Sequence, residues 1–390
     1  TADTATNLYA ALVTNGDTQV NAYTITTSGT AATAIELTGL DGKTSVTVNA
    51  SSVGTITGTG TEVVSVVNAS GISKSTSYAA ILTGTSSVAD VNIVAGATSG
   101  VVTATVTSAA ASVLKGLTTD SNDAITMTVN AEAASAATAA ADLVSLNGNT
   151  NQIITMTAVS SVSGSYSNLL DIYVTNKSQY NGIGDETVSI TGTVSATQAD
   201  AIADATSGIV TASITADTAA NLNTALVDSG SQVNAYTFTV NNDSGATLAS
   251  DLKALDSKTT QTITATSVTS IIGNITDLKA VLSSSEITRS GSLNVIINDA
   301  TVASIADLIT INNATPGTLT LNAATNGANY SDTTANIMTA FNGITSLTGT
   351  IGLSDSTTVA NINTVAGMTN GVLTATVTSA AASVLKGLTT

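Results

Sequence analysis

The chain has 390 residues, 26 of them acidic and 9 basic, for a net charge of −17. That balance argues against nucleic acid and anionic membrane surfaces as partners, because both are bound through clustered Lys and Arg. Histidine and cysteine are absent, which removes the commonest general base, every thiolate reaction and any disulfide framework.

Short period-two runs predict strands centred near residues 23, 47, 80, 104, 127, 155, 189, 212, 237, 264, 295, 320, 351 and 375. In these runs apolar residues alternate with threonine, the pattern of a half-buried strand. Between them the period changes to 3.6. Ala110, Val113, Leu114 and Leu117 form an apolar stripe, with Ser108 as the expected N-cap. Ala219, Leu222 and Leu226 repeat that stripe, as do Ile337, Met338 and Phe341. The Ala-rich stretches 131–146 and 197–205 are expected to be helical. The single proline, Pro316, precedes a strand and interrupts nothing.

The elements recur. Residues 103–119 (TATVTSAAASVLKGLTT) return unchanged at 374–390, and ATSG at 97–100 returns at 205–208. TADT at 1–4 returns at 215–218, and NAYT at 21–24 returns at 234–237. A unit of about 27 residues accounts for all these offsets. Strand, helix and parallel strand in succession make a right-handed crossover. The expected fold is therefore an α/β solenoid of about 14 coils, a parallel sheet backed by short helices. At about 4.8 Å per strand the stack would run roughly 65 Å. A pure parallel β-solenoid is the alternative. Residues 1–390 read as one continuous solenoid, duplicated between 1–119 and 215–390, with 120–214 as further repeats. The sequence starts inside one repeat and stops at the end of another. The expectation is a segment of a longer protein, or a subunit whose ends stack on neighbours.

Aromatic residues are only 3% of the chain against 43% hydrophobic, so Ala, Val, Ile and Leu must make a shallow core. Charged residues are 9%, which leaves a surface mostly of Thr, Ser, Asn and Gly. No run of 18 apolar residues occurs, so no membrane insertion is expected. An acidic, Cys-free composition of this kind fits a secreted bacterial protein at the cell surface.

Residues 167–191 (SNLLDIYVTNKSQYNGIGDETVSIT) and 333–355 (TTANIMTAFNGITSLTGTIGLSD) carry the pattern of a short helix, a glycine turn and a strand. In this they resemble the repeat regions of giant secreted and cell-surface proteins of marine cyanobacteria and other aquatic bacteria. The resemblance covers nearly the whole chain. It implies a surface layer, adhesive fibre or matrix, and it brings no catalytic residues. The glycine-rich nonapeptide of secreted calcium-binding toxins is absent.

Two sets of residues are candidates for function. The first is an interaction face of threonines repeating at every second position: Thr103, Thr105, Thr107, Thr126, Thr128, Thr155, Thr157, Thr237, Thr239, Thr262, Thr264, Thr374, Thr376 and Thr378. Period two puts them on one side of each strand. They could meet ice, carbohydrate, a cell surface or a neighbouring filament, or simply suit an exposed strand face. The second set is acidic turns, with Asp120, Asp123, Asp185, Glu186 and Asp243 as calcium candidates. Calcium needs six to eight oxygens, which clustered Asp and Asn can supply. The same residues also build turns unaided. Calcium is the one candidate cofactor, and no catalytic residue is assigned. The function expected is a non-enzymatic structural protein that polymerises head to tail or laterally. The alternative is a spacer or ligand-binding segment of a large adhesin.

Overall fold

The computed structural model describes residues 2–15, 18–227 and 232–389. Thr1 and Thr390, which bound two of the sequence repeats, lie outside the described residues. The chain divides into two compact units, residues 1–191 with 201–209, and residues 192–200 with 210–390. Each is made of parallel strands in sheets backed by short helices. This is the expected α/β repeat-like architecture.

In the first unit one sheet contains, in spatial order, Ala31–Thr33, Thr55–Thr59, Ala79–Ser86, Val102–Val106 and Ala124–Thr126. Ala31 pairs with Thr55 and Thr55 with Ala79, the same step along the chain each time. The spacing then falls. Ala80 pairs with Val102 and, beyond a bulge, Thr85 pairs with Thr105, a shorter step again. A second sheet takes Ala2–Asp3, Thr26–Thr27, Val48–Ala50 and Ile72–Lys74. From Thr26 to Ser86 the chain visits the two sheets alternately, with the helices Ala34–Asp41 and Gly60–Asn68 in between.

The second unit repeats the scheme. Thr247–Leu248, Ser270–Gly273, Asn294–Ile297 and Leu319–Thr320 form a sheet in which Thr247 pairs with Ile271, Ile271 with Val295 and Val295 with Leu319. The step is constant here, and it equals the one from Ala31 to Thr55. A later sheet holds Tyr330–Asp332, Ile351–Thr357 and Leu373–Val377. There the step shortens from Tyr330 to Ile351 and, past a bulge, shortens further from Ser356 to Thr376.

Two expectations are corrected. The spacing is most often 24, as between Asn294 and Thr318, and among the described strand pairings the longer expected unit is reached at the Thr128–Thr155 bridge. Offsets summed over many unequal repeats concealed the length of each one. The repeats also carry a second strand that the pattern missed: AAT at Ala31–Thr33, TITGT at Thr55–Thr59, SVSG at Ser161–Gly164 and SIIG at Ser270–Gly273. Such short strands, with Ala or Gly among so few residues, have too little alternation to register as period two.

The strands that were expected follow the alternation closely. Val102, Ala104 and Val106 are buried while Thr103 and Thr105 are exposed. Most of the described helices are opened by side-chain caps, though Ala111–Leu114, Ala140–Asn147 and Ala249–Asp256 are not. Thr33 with Glu36, and Thr59 with Glu62, form complete capping boxes. Ser87, Asn274 and Ser304 cap helices that carry aspartate three residues on. The buried positions recur every three residues: Ala34, Leu37 and Leu40; Ala140, Leu143 and Leu146; Ala249, Leu252 and Leu255; Val359, Ile362 and Val365. Three residues turn through about 300°, so over two steps this ridge stays on one side of a short helix.

The stripe read at residues 110–117 shifts accordingly. The helix is Ala111–Leu114, Ala110 holds the N-cap position, and Val113 is exposed. Ser108 does not cap it. Ala109–Ala110 instead pairs with Val129–Asn130, which delays the helix. The helix expected over 131–146 is likewise confined to Ala140–Asn147. Ahead of it Thr138–Ala139 pairs with Val162 and Ser163, and sheet pairing overrides the helical preference of alanine. Ala196–Ala203 is helical as expected.

Candidate functional site

The contacts that join one repeat to the next are the most regular feature of the molecule. Six threonines sit at equivalent corners shortly before a strand, three of them (Thr44, Thr259 and Thr369) as single bridge residues: Thr44, Thr98, Thr150, Thr206, Thr259 and Thr369. All are buried except Thr98, which is half-buried. Each hydroxyl donates to a backbone carbonyl in the preceding repeat. The acceptors are Tyr23 at 2.7 Å, Tyr78, Ile125 at 2.8 Å, Glu186 at 2.9 Å, Tyr236 at 2.7 Å and Gly349 at 2.7 Å. The same oxygen accepts from the amide two residues on, at Val46, Gly100, Gln152, Gly208, Gln261 and Gly371. One hydroxyl thus satisfies an amide at a tight corner and a carbonyl in the repeat before it, two groups costly to bury unpaired.

Where this corner reads Thr-x-Gly, the glycine is a steric requirement. A Cβ at Gly100, Gly208 or Gly371 would run into the carbonyl of Tyr78, Glu186 or Gly349, the acceptor of the threonine itself. The sequence held this signal in ATSG at 97–100 and 205–208, where it served only to measure an offset.

The fourteen threonines of the expected face are all exposed or half-buried. They do not form one flat array. In the first unit, one row across the sheet runs Thr33, Thr57, Ile81, Thr103, Ala124, and another runs Thr85, Thr105, Thr126. Thr128 and Thr155 are bridged, and Thr155 continues to Asn181. Thr107 bonds back to the Ser86 carbonyl. Thr157 lies in a turn. In the second unit Thr239, Thr264 and Thr288 form a row, Thr237 lies beside Ser213, and Thr262 precedes its strand. Thr374 faces Gly352, Thr376 faces Ser356, and the Thr378 amide donates to the Thr357 carbonyl. Ile81, Ala124 and Gly352 break the hydroxyl rows, and the threonines are shared among several short sheets.

The acidic candidates are engaged locally. Asp123 is buried, and its oxygens accept from the amides of Val102 at 2.7 Å and Asp120 at 3.2 Å. Asp120 accepts from the Asn122 amide at 2.7 Å. Glu186 is buried, and its Oε2 accepts from the Tyr173 hydroxyl at 3.1 Å and the Gly184 amide at 2.8 Å. Asp185 is exposed and, with Thr157, lines a hollow of about 570 Å³. Asp243 is half-buried. Among the described residues no group of three or more acidic side chains converges as a metal site would require. Asp120, Asp123 and Glu186 thus spend carboxylate oxygens on backbone amides of turns and repeat joints.

Cationic side chains link successive helices. Lys115 reaches Asp142 at 3.1 Å, Lys253 reaches Asp277 at 2.8 Å and Lys279 reaches Asp307 at 2.7 Å. Each aspartate lies in the first turn of its helix, where negative charge is favoured by the helix dipole. Hydrogen bonds from Lys253 and Lys279 hold the Asp277 and Asp307 carboxyls below their ordinary range. Burial pushes the Tyr78, Tyr173 and Tyr180 hydroxyls up, and Tyr330 up to about 12.

The site that emerges is a set of repeat-to-repeat joints and exposed strand faces. No protein-family model matches the sequence, and comparison with curated proteins and with solved structures found no match.

Proposed function

We propose that this chain is a non-enzymatic, extracellular structural repeat protein that self-assembles into a cell-surface fibre or layer. In this reading its repeats close into an α/β solenoid, each coil made of two short strands and a helix. Most coils are shorter than first expected, so the chain holds more than fourteen.

The observation that carries the reading is the stitching itself. Parallel registers, threonine corners and lysine–aspartate links all join residues about one repeat apart, the organisation of a quasi-one-dimensional stack. Such a stack offers surface and open strand edges more than an enclosed pocket. The composition fits the same role, with few charges, no cysteine and a hydroxyl-rich exterior.

A second reading, the spacer or ligand-binding segment of a large adhesin, is favoured by the outward threonine rows. Electron microscopy of the purified chain, with calcium and with chelator, separates the two. Fibres or sheets support the structural reading, and their loss in chelator would assign calcium to the contacts. Isolated short particles in both conditions contradict it and favour the adhesin segment.

A further inference from the structure

Six asparagine–glycine pairs occur in the chain, at Asn15, Asn147, Asn181, Asn326, Asn342 and Asn370. Asparagine is a chemically labile residue, and glycine after it opens a reaction of the chain with itself. The glycine amide nitrogen attacks the asparagine Cγ, and no Cβ on the glycine obstructs the approach. The N–Cγ bond forms and the Cγ–Nδ2 bond breaks. The amide proton leaves with Nδ2 as ammonia, and a cyclic imide remains. Water then opens the ring at Cγ, giving aspartate, or at the main-chain carbonyl carbon, giving isoaspartate. The sequence presents the pairs as equals, so the structure decides which of them reacts.

Most of the described pairs are held. Asn147 and Asn326 end helices, and the amides of Gly148 and Gly327 donate to the carbonyls of Ser145 at 3.1 Å and Ala323 at 3.0 Å. The Gly371 amide donates to the Thr369 hydroxyl at 2.9 Å, in a corner that joins repeats. Asn181 pairs with Thr155, its carbonyl accepts from the Met156 amide at 2.8 Å, and Gly182 lies against the Thr157 backbone. An amide already donating, or a backbone fixed on both sides, must be freed before its nitrogen can turn onto Cγ. Gly16 lies outside the described residues.

Asn342–Gly343 is different. Both residues are exposed. They are the central pair of a β-turn closed by the Ile344 amide on the Phe341 carbonyl at 3.0 Å, with Gly343 at φ +77°. Among the described residues nothing accepts from the Gly343 amide, and a Cβ at Gly343 would meet no neighbour. Buried Phe341 and Ile344 anchor the turn on either side, so the free pair stands at its tip. The Asn342 carbonyl is also part of a joint. Asn312, in the helix Ile305–Ala314, donates through Nδ2 to the carbonyls of Thr339 at 3.1 Å, Ala340 at 3.2 Å and Asn342 at 3.0 Å. It thereby closes the carbonyl end of the next helix, Thr334–Ala340.

We infer that Asn342 is a self-modification site, converting to aspartate and isoaspartate through the Gly343 imide ahead of Asn147, Asn181, Asn326 and Asn370. Isoaspartate routes the main chain through Cβ and Cγ, and the carbonyl that Asn312 holds becomes a free carboxylate. The turn is then one atom longer and adds a negative charge to a chain already at −17. The joint between Ile305–Ala314 and Thr334–Ala340 loosens as the protein ages. In a stack whose repeats hold one another, this turn is where local opening begins.

The test is peptide mapping by mass spectrometry of the whole chain, incubated for weeks in mildly alkaline buffer, folded and in denaturant. In the folded chain Asn342 should convert ahead of Asn181, and about tenfold or more faster than Asn147, Asn326 and Asn370, the margin one retained hydrogen bond can impose. In denaturant the pairs should converge to similar rates. A folded chain in which any of the other four leads would overturn the inference. So would an Asn342 that leads by the same margin in denaturant, because sequence and not structure would then select it. Hydrogen exchange next compares the aged native chain with Asn342→Gln aged alongside, since glutamine keeps the exposed turn but cannot close the same ring. The native chain should lose protection over residues 334–340 and the variant should keep it. Equal protection would overturn the loosening of the joint.

Discussion

The stretches from Thr247 to Thr320 and from Ala79 to Thr126 stack parallel strands in two ways. The first keeps one even step, with helices Ala249–Asp256, Ile275–Ser283 and Ile305–Ala314 joined by lysine–aspartate pairs. The second shortens its step across a bulge, holds Gly84 at φ +70°, and turns its corner on Thr98-Ser99-Gly100. One of its helices is only four residues long. A repeat can therefore lose several residues from its step when its strand bulges and a glycine lets two backbones approach. Glycine at positive φ is the usual means of such a bulge.

If both stretches rest on the same apolar ridge, Leu114→Ala and Leu252→Ala should cost alike, about 2–5 kcal/mol each. Both side chains are buried, and chemical denaturation measures the difference. The corners should then separate the two regions. Gly100→Ala forces a Cβ against the Tyr78 carbonyl and should cost about 1–3 kcal/mol. Gln261→Ala, at the equivalent place after Thr259, should fall within about 0.5 kcal/mol of native. Equal effects would show that the tight corner is not what permits the short repeat. Gly84→Ala meets no neighbour, yet should lose about 1–2 kcal/mol through its left-handed backbone alone. Smallest of all, Lys279→Met should change stability by about 1 kcal/mol or less, since its ion pair is partly exposed.

Stability against pH follows from the same groups. Asp277 and Asp307 are held below their ordinary values. Their contribution is present above the unfolded carboxylate pKa, about 3.9, and is lost as pH falls below it. Tyr330 is raised to about 12 by burial. Its contribution is complete below the unfolded tyrosine value of about 10 and is lost as pH rises from there toward 12. Melting temperature should therefore be flat between about pH 5 and 9 and fall on both sides. A decline that starts near neutrality would contradict this assignment.

Much of the fold was legible in the sequence. The alternation in VTATV placed apolar residues inward and threonines outward without needing a partner strand, because period two is a property of the strand itself. Other features depended on distant residues. Only the glycine two residues on distinguishes Thr98, buttoned to Tyr78, from Thr103, exposed on the strand that follows it. Val113 was read as core because it fits a 3.6 stripe, but the short helix buries only every third residue. Period two turns the threonines outward, whereas which of them lie side by side is set by register and bulges. The acidic turns were recognisable as turns. That Asp123 would commit its carboxylate to the Val102 amide, in the repeat before it, was not.

The central claim is that each repeat is held by the repeats on either side. Amide hydrogen exchange on the two identical blocks tests it most directly, using peptides that extend into their differing flanks. The account predicts that residues 102–117 are protected strongly and residues 373–388, under conditions that keep the chain dispersed, much less. Equal protection of the two blocks would contradict it, because identical sequences would then be stable by their own local structure.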